Sequence, residues 1–218
     1  MKLKTYEWLG YGAVALVMLW AHYLIFVYAP TERVMGAVQR VFYFHVGSAI
    51  AAYVSIAVVF LGSLLYLAQK SLVMDLVAEA AAEIGFLFCT LVLVSGMIWG
   101  HAAWGTWFNW EPRLVTFLLL WLLFMSYVLL RVFGDPLAIK SHAAILGIAG
   151  TIMVPIMVFS IKILPQMKQL HPEVIDKQGL DPRMGFTLAI SILACVLLQA
   201  LLLYVRVRIG FLEKSSKE

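Results

Sequence analysis

Four of the seven tryptophans lie within twelve residues, in the run Trp-Gly-His-Ala-Ala-Trp-Gly-Thr-Trp-Phe-Asn-Trp that occupies residues 99–110. Three of its indoles recur at every third residue: Trp104, Trp107 and Trp110. If the run is helical, these indoles fan over about 120° of one surface. Such a surface is either an anchor at a membrane boundary or the floor of a site for a large planar ligand.

Five histidines are the candidate metal ligands. His45 begins an apolar segment shortly after Arg40, and His171 lies in a polar segment before Pro172. Neutral imidazole is a good ligand for iron. Two histidines, a tryptophan wall and surrounding arginines would supply ligation, ring burial and carboxylate pairing for a haem. The other three histidines, His22, His101 and His142, are expected to be structural. His101 could also be a ligand, because it lies within the tryptophan run.

The elements that must position these residues are membrane helices. The chain has 218 residues, 63% of them hydrophobic and 13% charged, whereas a soluble domain has nearer a quarter charged. Six apolar runs are long enough to cross a bilayer. They lie near residues 11–29, 43–67, 84–103, 114–130, 143–161 and 185–205. We therefore predict an all-α, polytopic six-helix bundle that forms a single domain over residues 1–218.

The boundaries between these spans carry recognisable signals. Pro112 is expected at the first position of span four with Glu111 at its cap, and Asp181-Pro182 fits the start of span six. Residues 68–82 are interpreted as a short amphipathic loop before span three. Pro155 lies inside span five and predicts a kink.

Charge sets the expected orientation. With both termini in the cytoplasm, nine of the 16 basic residues lie on the inner side and seven on the outer side, a weak positive-inside bias. Segments 30–45, 99–113 and 162–183 then meet at the outer face and would form the site. The central parts of the spans contain no charged residue, which argues against an ion-driven transporter or proton pump. Both cysteines lie in apolar spans, and we expect them to be small packing residues.

The segment Trp104-Gly105-Thr106-Trp107-Phe108-Asn109-Trp110-Glu111-Pro112-Arg113-Leu114 resembles the WGxxWxWD signature of the haem-handling cytochrome c assembly proteins. The six spans, the size and the continuation to Thr116 resemble the haem exporter protein C (CcmC) family in particular. Two positions differ from the family pattern: Glu111 stands where the family has aspartate, and Phe108 where it often has tryptophan. The resemblance covers nearly the whole chain.

The resemblance implies that His45 and His171 are axial iron ligands of a non-covalent haem b. It also implies that Trp104, Trp107 and Trp110 lie against the ring, with Glu111 and Arg113 completing the site. Arg113 is the first candidate to pair with the propionates, ahead of Arg40 and Lys168.

The same resemblance implies an inner-membrane location with the haem site facing the periplasm. The implied partners are the periplasmic haem chaperone CcmE, the small membrane protein CcmD and the ATP-binding-cassette pair CcmA and CcmB. This sequence has no Walker motif, so any use of ATP must belong to a partner. We expect the lipid bilayer as surroundings and no nucleic-acid partner.

Three alternatives stay open at the level of sequence. The chain could be a haem lyase that acts directly on apocytochrome c, although such relatives are larger. It could be a structural or permease subunit whose tryptophans form an interfacial belt. It could also be a b-type electron carrier, although paired histidines within the spans are absent.

Overall fold

The structure, a computed structural model, describes residues 4–135, 138–163 and 180–215. These residues form six long α-helices and no strand. The helices, in chain order, are α1 Thr5–Tyr23, α2 Val41–Gln69, α3 Leu72–Trp104, α4 Pro112–Phe133, α5 Ile139–Ile163 and α6 Pro182–Ser215. A π-helical turn, Leu24–Tyr28, extends α1, and a 3₁₀ turn, Ala37–Arg40, leads into α2.

Each of the six helices is long and apolar enough to cross a membrane. Their outward faces expose large aliphatic side chains that water would not tolerate in such number but lipid does. Examples are Leu16, Leu19, Leu61, Leu91, Leu129 and Ile152. The prediction of an all-α bundle with six spans is confirmed, and the protein is a multi-pass membrane protein.

Small residues let α2 lie close to its neighbours. A Cβ added to Gly62 would meet Ala78 Cβ of α3 at 3.1 Å, and one added to Gly85 would meet Ser55 Cβ of α2 at 3.2 Å. Such close contact is how membrane helices associate without a hydrophobic driving force. A buried hydrogen bond from Gln199 Nε2 to Ser55 Oγ (3.1 Å) adds α6 to this core.

The connection between α2 and α3 is shorter than the sequence predicts. Lys70 ends α2 in the left-handed conformation (φ 54°), and the Ser71 hydroxyl caps α3 by accepting a hydrogen bond from Met74 N (3.4 Å). The interpretation of residues 68–82 as a loop is therefore wrong, because α3 begins at Leu72. The starts of α4 at Pro112 and of α6 at Pro182 are confirmed.

Asp181 caps α6 at its first turn. Its carboxylate accepts a hydrogen bond from the backbone N–H of Arg183 (2.8 Å), and this bond lowers the pKa of the Asp181 carboxyl below its ordinary value. This cap explains why α6 begins at Pro182, as the sequence predicts.

Ion pairs join the helices at the end of the bundle that holds both chain termini, here called the termini end. Glu7 of α1 pairs with Arg208 of α6 and accepts a hydrogen bond from Tyr204 Oη (2.7 Å). Arg206 of α6 pairs with Glu83 of α3 at 2.6 Å. Since these contacts join the start of α1 to the end of α6, the opposite end, here called the site end, holds the start of α2 and the end of α3.

Arg131 of α4 makes the most buried of these ion pairs. Its two terminal nitrogens contact the two carboxylate oxygens of Asp75 at 2.7 and 3.2 Å, and it also pairs with Glu79. The side chains of Arg131 and Asp75 are 8% and 4% exposed. This bidentate geometry fixes α4 against the first turns of α3.

Candidate functional site

A cavity of about 210 Å³ opens at the site end, between α2, α3, α4 and α5. One face of α2 contributes residues spaced as neighbours on a helix: Phe42, His45, Val46, Ala49, Ile50 and Tyr53. From the first to the last of these the helix rises about 16 Å, so the cavity is deep. It extends from the end of the bundle into the part built of spanning helices.

The other walls are mostly apolar. The helix α3 contributes Val92, Leu93, Gly96, Met97, Trp99 and Trp104, while α4 and α5 contribute Arg113, Leu114, Phe117 and Met157. Tyr53 Oη at the floor points its hydrogen at Met157 Sδ (3.9 Å). Among the described lining residues, His45 has the only nitrogen that could ligate a metal. Arg113 is the only cation among them that could form an ion pair with a carboxylate. An apolar cavity with few polar groups is typical of a ligand site.

The tryptophan run is not one helix. The helix α3 ends at Trp104, where Gly105 takes a left-handed conformation (φ 73°) and donates its N–H to His101 O at 2.9 Å. Residues 105–111 form a loop before α4, held in part by a hydrogen bond from Thr106 Oγ1 to Asn109 Oδ1 (2.9 Å). The expected helical fan of indoles is therefore wrong, because a glycine that tolerates positive φ ends the helix in the middle of the run.

The loop separates the three predicted tryptophans. Trp104 and Trp107 line the cavity, whereas Trp110 does not line it and is 77% exposed. Trp107 is 55% exposed and stacks flat on His101, with ring centroids 4.1 Å apart and planes 3° from parallel. His101 therefore contacts Trp107 and does not line the cavity.

His45 faces the cavity and rests against α3. Its Nδ1 lies 3.0 Å from Ser95 Oγ, and its Cε1 lies where a Cβ on Gly96 would be only 3.1 Å away. Arg113 is near enough to interact electrostatically with the imidazole. The ring is therefore held by α3, on a helix other than its own.

Glu111 and Arg113 have different surroundings although they are two residues apart. Glu111 occupies the cap position of α4, as predicted, and is buried, but its side chain makes no capping hydrogen bond and does not line the cavity. Arg113 lies in the first turn of α4 and lines the cavity. Of the two, Arg113 is the one placed to contact a bound ligand.

Four further candidates were named from the sequence. His171 and Lys168 lie outside the described residues. Arg40 donates from Nη1 to Phe26 O (2.9 Å) and so holds the end of the first span rather than lining the cavity. His22 Nδ1 bonds Met18 O (2.7 Å), which fits the structural role expected for it.

Several lining residues were not identified from the sequence. Tyr53 and Phe42 could have been found, because they recur with His45 at helical spacing on α2. Trp99 belongs to the tryptophan run, and its ring makes an edge-to-face contact with Trp104 at 5.1 Å. Gly96 and Met157 give no sequence signal, since small residues and methionine are common throughout the spans, and the same holds for Ser95, which contacts His45 without lining the cavity.

Fold and site together define a polytopic membrane protein with an apolar, histidine-containing cavity at one end of the bundle. The family model described as "Heme exporter protein C" matches residues 2–218. The chain belongs to this family.

Relatives with the same name are similar over much of the chain. The Escherichia coli (strain K12) protein is 32% identical over 92% of this chain and 81% of its own length. The Bradyrhizobium diazoefficiens protein is 29% identical over 87% of this chain and 74% of its own. The match to the Rhodobacter capsulatus protein is 37% identical but spans only 48% of this chain and 43% of that protein.

Proposed function

We propose that this protein binds haem in the site-end cavity during cytochrome c maturation and presents it to a periplasmic acceptor. The observation that carries the proposal is the joint presence of His45, Arg113 and tryptophan rings on the wall of one deep apolar cavity. In this proposal His45 is one axial ligand of the iron, and Trp104 and Trp107 contact the ring. The second ligand, His171, is proposed from the sequence.

The residues present match what a haem requires. Haem iron needs an imidazole nitrogen, the macrocycle needs apolar and aromatic walls, and the propionates need a cation. His45, Trp104 and Arg113 supply one of each, and the other lining residues are predominantly aliphatic or aromatic. Family membership makes haem, the cargo in the family's name, the first ligand to test.

The orientation and partners follow the same proposal. Both termini lie in the cytoplasm, and the site end faces the periplasm across the inner membrane. The acceptor is the haem chaperone CcmE, with CcmD assisting and CcmA and CcmB using ATP. Trp110, highly exposed beside the cavity, offers an apolar contact for such an acceptor.

A haem titration tests the proposal directly. We expect the detergent-purified wild type to bind added haem and give a low-spin spectrum with two histidine ligands, in both redox states. His142→Ala is a control, because His142 lies near the start of α5 at the termini end. A protein that stays colourless with ferric and ferrous haem alike would refute the proposed function.

Removing the cavity's cation should weaken haem binding without changing the ligands. Arg113→Ala is expected to raise the Kd for haem about 10- to 100-fold. This increase corresponds to the loss of a charge-assisted hydrogen bond, which contributes about 1.5–3 kcal/mol. Absorption maxima should stay those of the wild type. Arg40→Ala is the matched control, because its guanidinium bonds the Phe26 carbonyl, and should leave Kd unchanged. Equal losses in the two variants would contradict a specific role for Arg113.

The two loop tryptophans should behave differently. Trp107→Ala removes an indole from the cavity wall and should raise the haem Kd about 10-fold, or about 1.4 kcal/mol. Trp110→Ala should leave the Kd within about twofold, because its ring does not line the cavity. Transfer of bound haem to purified CcmE should slow in both variants. If both variants bound haem normally and only membrane insertion failed, the indoles would be an interfacial belt.

A further inference from the structure

The imidazole of His45 meets a hydroxyl whose own hydrogen is already used. Ser95 Oγ lies 2.6 Å from the backbone carbonyl of Leu91, one turn earlier on α3, and 3.2 Å from that of Val92. A hydroxyl has one hydrogen to donate and two lone pairs to accept with. With the hydrogen directed to Leu91 O, Ser95 Oγ can only accept from His45 Nδ1, 3.0 Å away.

This arrangement fixes the tautomer of His45. Nδ1 carries the proton and donates it to Ser95. Nε2 then carries the lone pair, which is the form of imidazole that ligates a metal. The hydrogen bond also limits rotation of the ring about its bond to Cβ.

Gly96 supplies the space that the same ring occupies. A Cβ at this position would lie 3.1 Å from His45 Cε1 and 3.6 Å from Nδ1. The closer distance is shorter than ordinary van der Waals contact, so an alanine would displace the imidazole from its present position. The two adjacent residues of α3 therefore act on one ring, Ser95 by hydrogen bonding and Gly96 by its missing side chain.

We propose that Ser95 and Gly96 are positioning residues that set the tautomer, orientation and donor strength of His45 as a haem ligand. The inference rests on the proposed function, since it assigns them a role at that site. A hydrogen-bond acceptor on Nδ1–H makes Nε2 a stronger donor, which stabilises ferric over ferrous iron. The midpoint potential of the bound haem is therefore lower with the Ser95 hydrogen bond than it would be if His45 lacked that bond.

Ser95→Ala tests the hydrogen bond. We expect the haem Kd to rise about 10-fold and the midpoint potential to move to more positive values, with the spectrum still low-spin. Ser95→Thr keeps the hydroxyl and should restore both quantities. Ser126→Ala is the matched control, because Ser126 bonds the carbonyl of Leu122 four residues earlier in the same way, on an exposed face of α4. A potential that does not change in Ser95→Ala would overturn the role of Ser95.

Gly96→Ala tests the space. The added methyl should displace the imidazole, alter the g-values of the low-spin ferric signal in electron paramagnetic resonance and weaken haem binding. Gly10→Ala on α1 is the control, since a Cβ there meets nothing within 4 Å. Wild-type g-values and Kd in a folded Gly96→Ala protein would overturn the role of Gly96.

Different outcomes would refute the proposed function and the roles of Ser95 and Gly96. If the wild type bound no haem, the proposed function would fail and the inference with it. If the wild type bound haem and His45→Ala lost it, while both α3 variants behaved as their controls do, only the inference would fail.

Discussion

Replacing His45 with alanine should abolish the low-spin spectrum of the haem-loaded protein. His45 is the only imidazole among the described residues that line the cavity, so its loss would remove one of the two proposed iron ligands. We expect the haem Kd to rise at least about 100-fold, because even the loss of an outer hydrogen-bond partner costs 10- to 100-fold in metal affinity. Any haem still bound should be high-spin. Absorption and electron paramagnetic resonance spectra of the purified variant measure both effects.

His22 provides the control for this experiment. It lies on α1, bonds the Met18 carbonyl and does not line the cavity, so His22→Ala should keep the wild-type spectrum. His171→Ala, the test of the second proposed ligand, should give the same high-spin product as His45→Ala. Unchanged spectra in the His45 and His171 variants together would refute the ligand assignment.

Replacing Arg131 with alanine should produce the largest loss of stability. The change leaves the Asp75 carboxylate buried without its bidentate partner and removes the ion pair to Glu79. Breaking one side of a buried ion pair costs about 3–5 kcal/mol. We expect this decrease in the free energy of unfolding, measured by denaturant titration in detergent micelles.

The exposed pair between Arg183 and Asp181 gives the matched control. Its atoms are 3.5 Å apart and its side chains are 55% and 39% exposed. Exposed pairs contribute about 0–1 kcal/mol, so Arg183→Ala should change the stability by no more than that. A similar small effect for Arg131→Ala would show that Asp75 and Glu79 find other partners or water.

The sequence was sufficient to predict the six spans because the bilayer demands long apolar runs with internally bonded backbone. Prolines marked the starts of α4 and α6 correctly, since their missing N–H costs nothing at a first helical turn. The turn at Lys70 and Ser71 was missed because acidic residues after it gave the start of α3 the composition of a loop. Those acids, Asp75, Glu79 and Glu83, recur every four residues and pair with arginines from α4 and α6.

The candidate site was predicted only in part. Residue types indicated His45, Arg113 and the tryptophans, and the structure brings His45, Arg113, Trp104 and Trp107 to one cavity. Spacing alone could not show that Gly105 ends the helix, so Trp110 was expected in line with the others. The support that Ser95 and Gly96 give His45 depends on packing between two helices, which a single sequence does not reveal.

The depth of the cavity has a consequence for the proposed haem, because it would determine which edge of the porphyrin enters first. Its floor, at Tyr53, lies about 16 Å along α2 from Phe42 and belongs to a helix that crosses the membrane. Ionised carboxylates are costly in such poorly polarisable surroundings, whereas vinyl and methyl groups are not. A porphyrin bound as proposed would therefore enter with its hydrocarbon edge leading and keep its acidic edge at the mouth. Its acidic edge would then leave first, and an acceptor would meet the cargo in a single, fixed polarity.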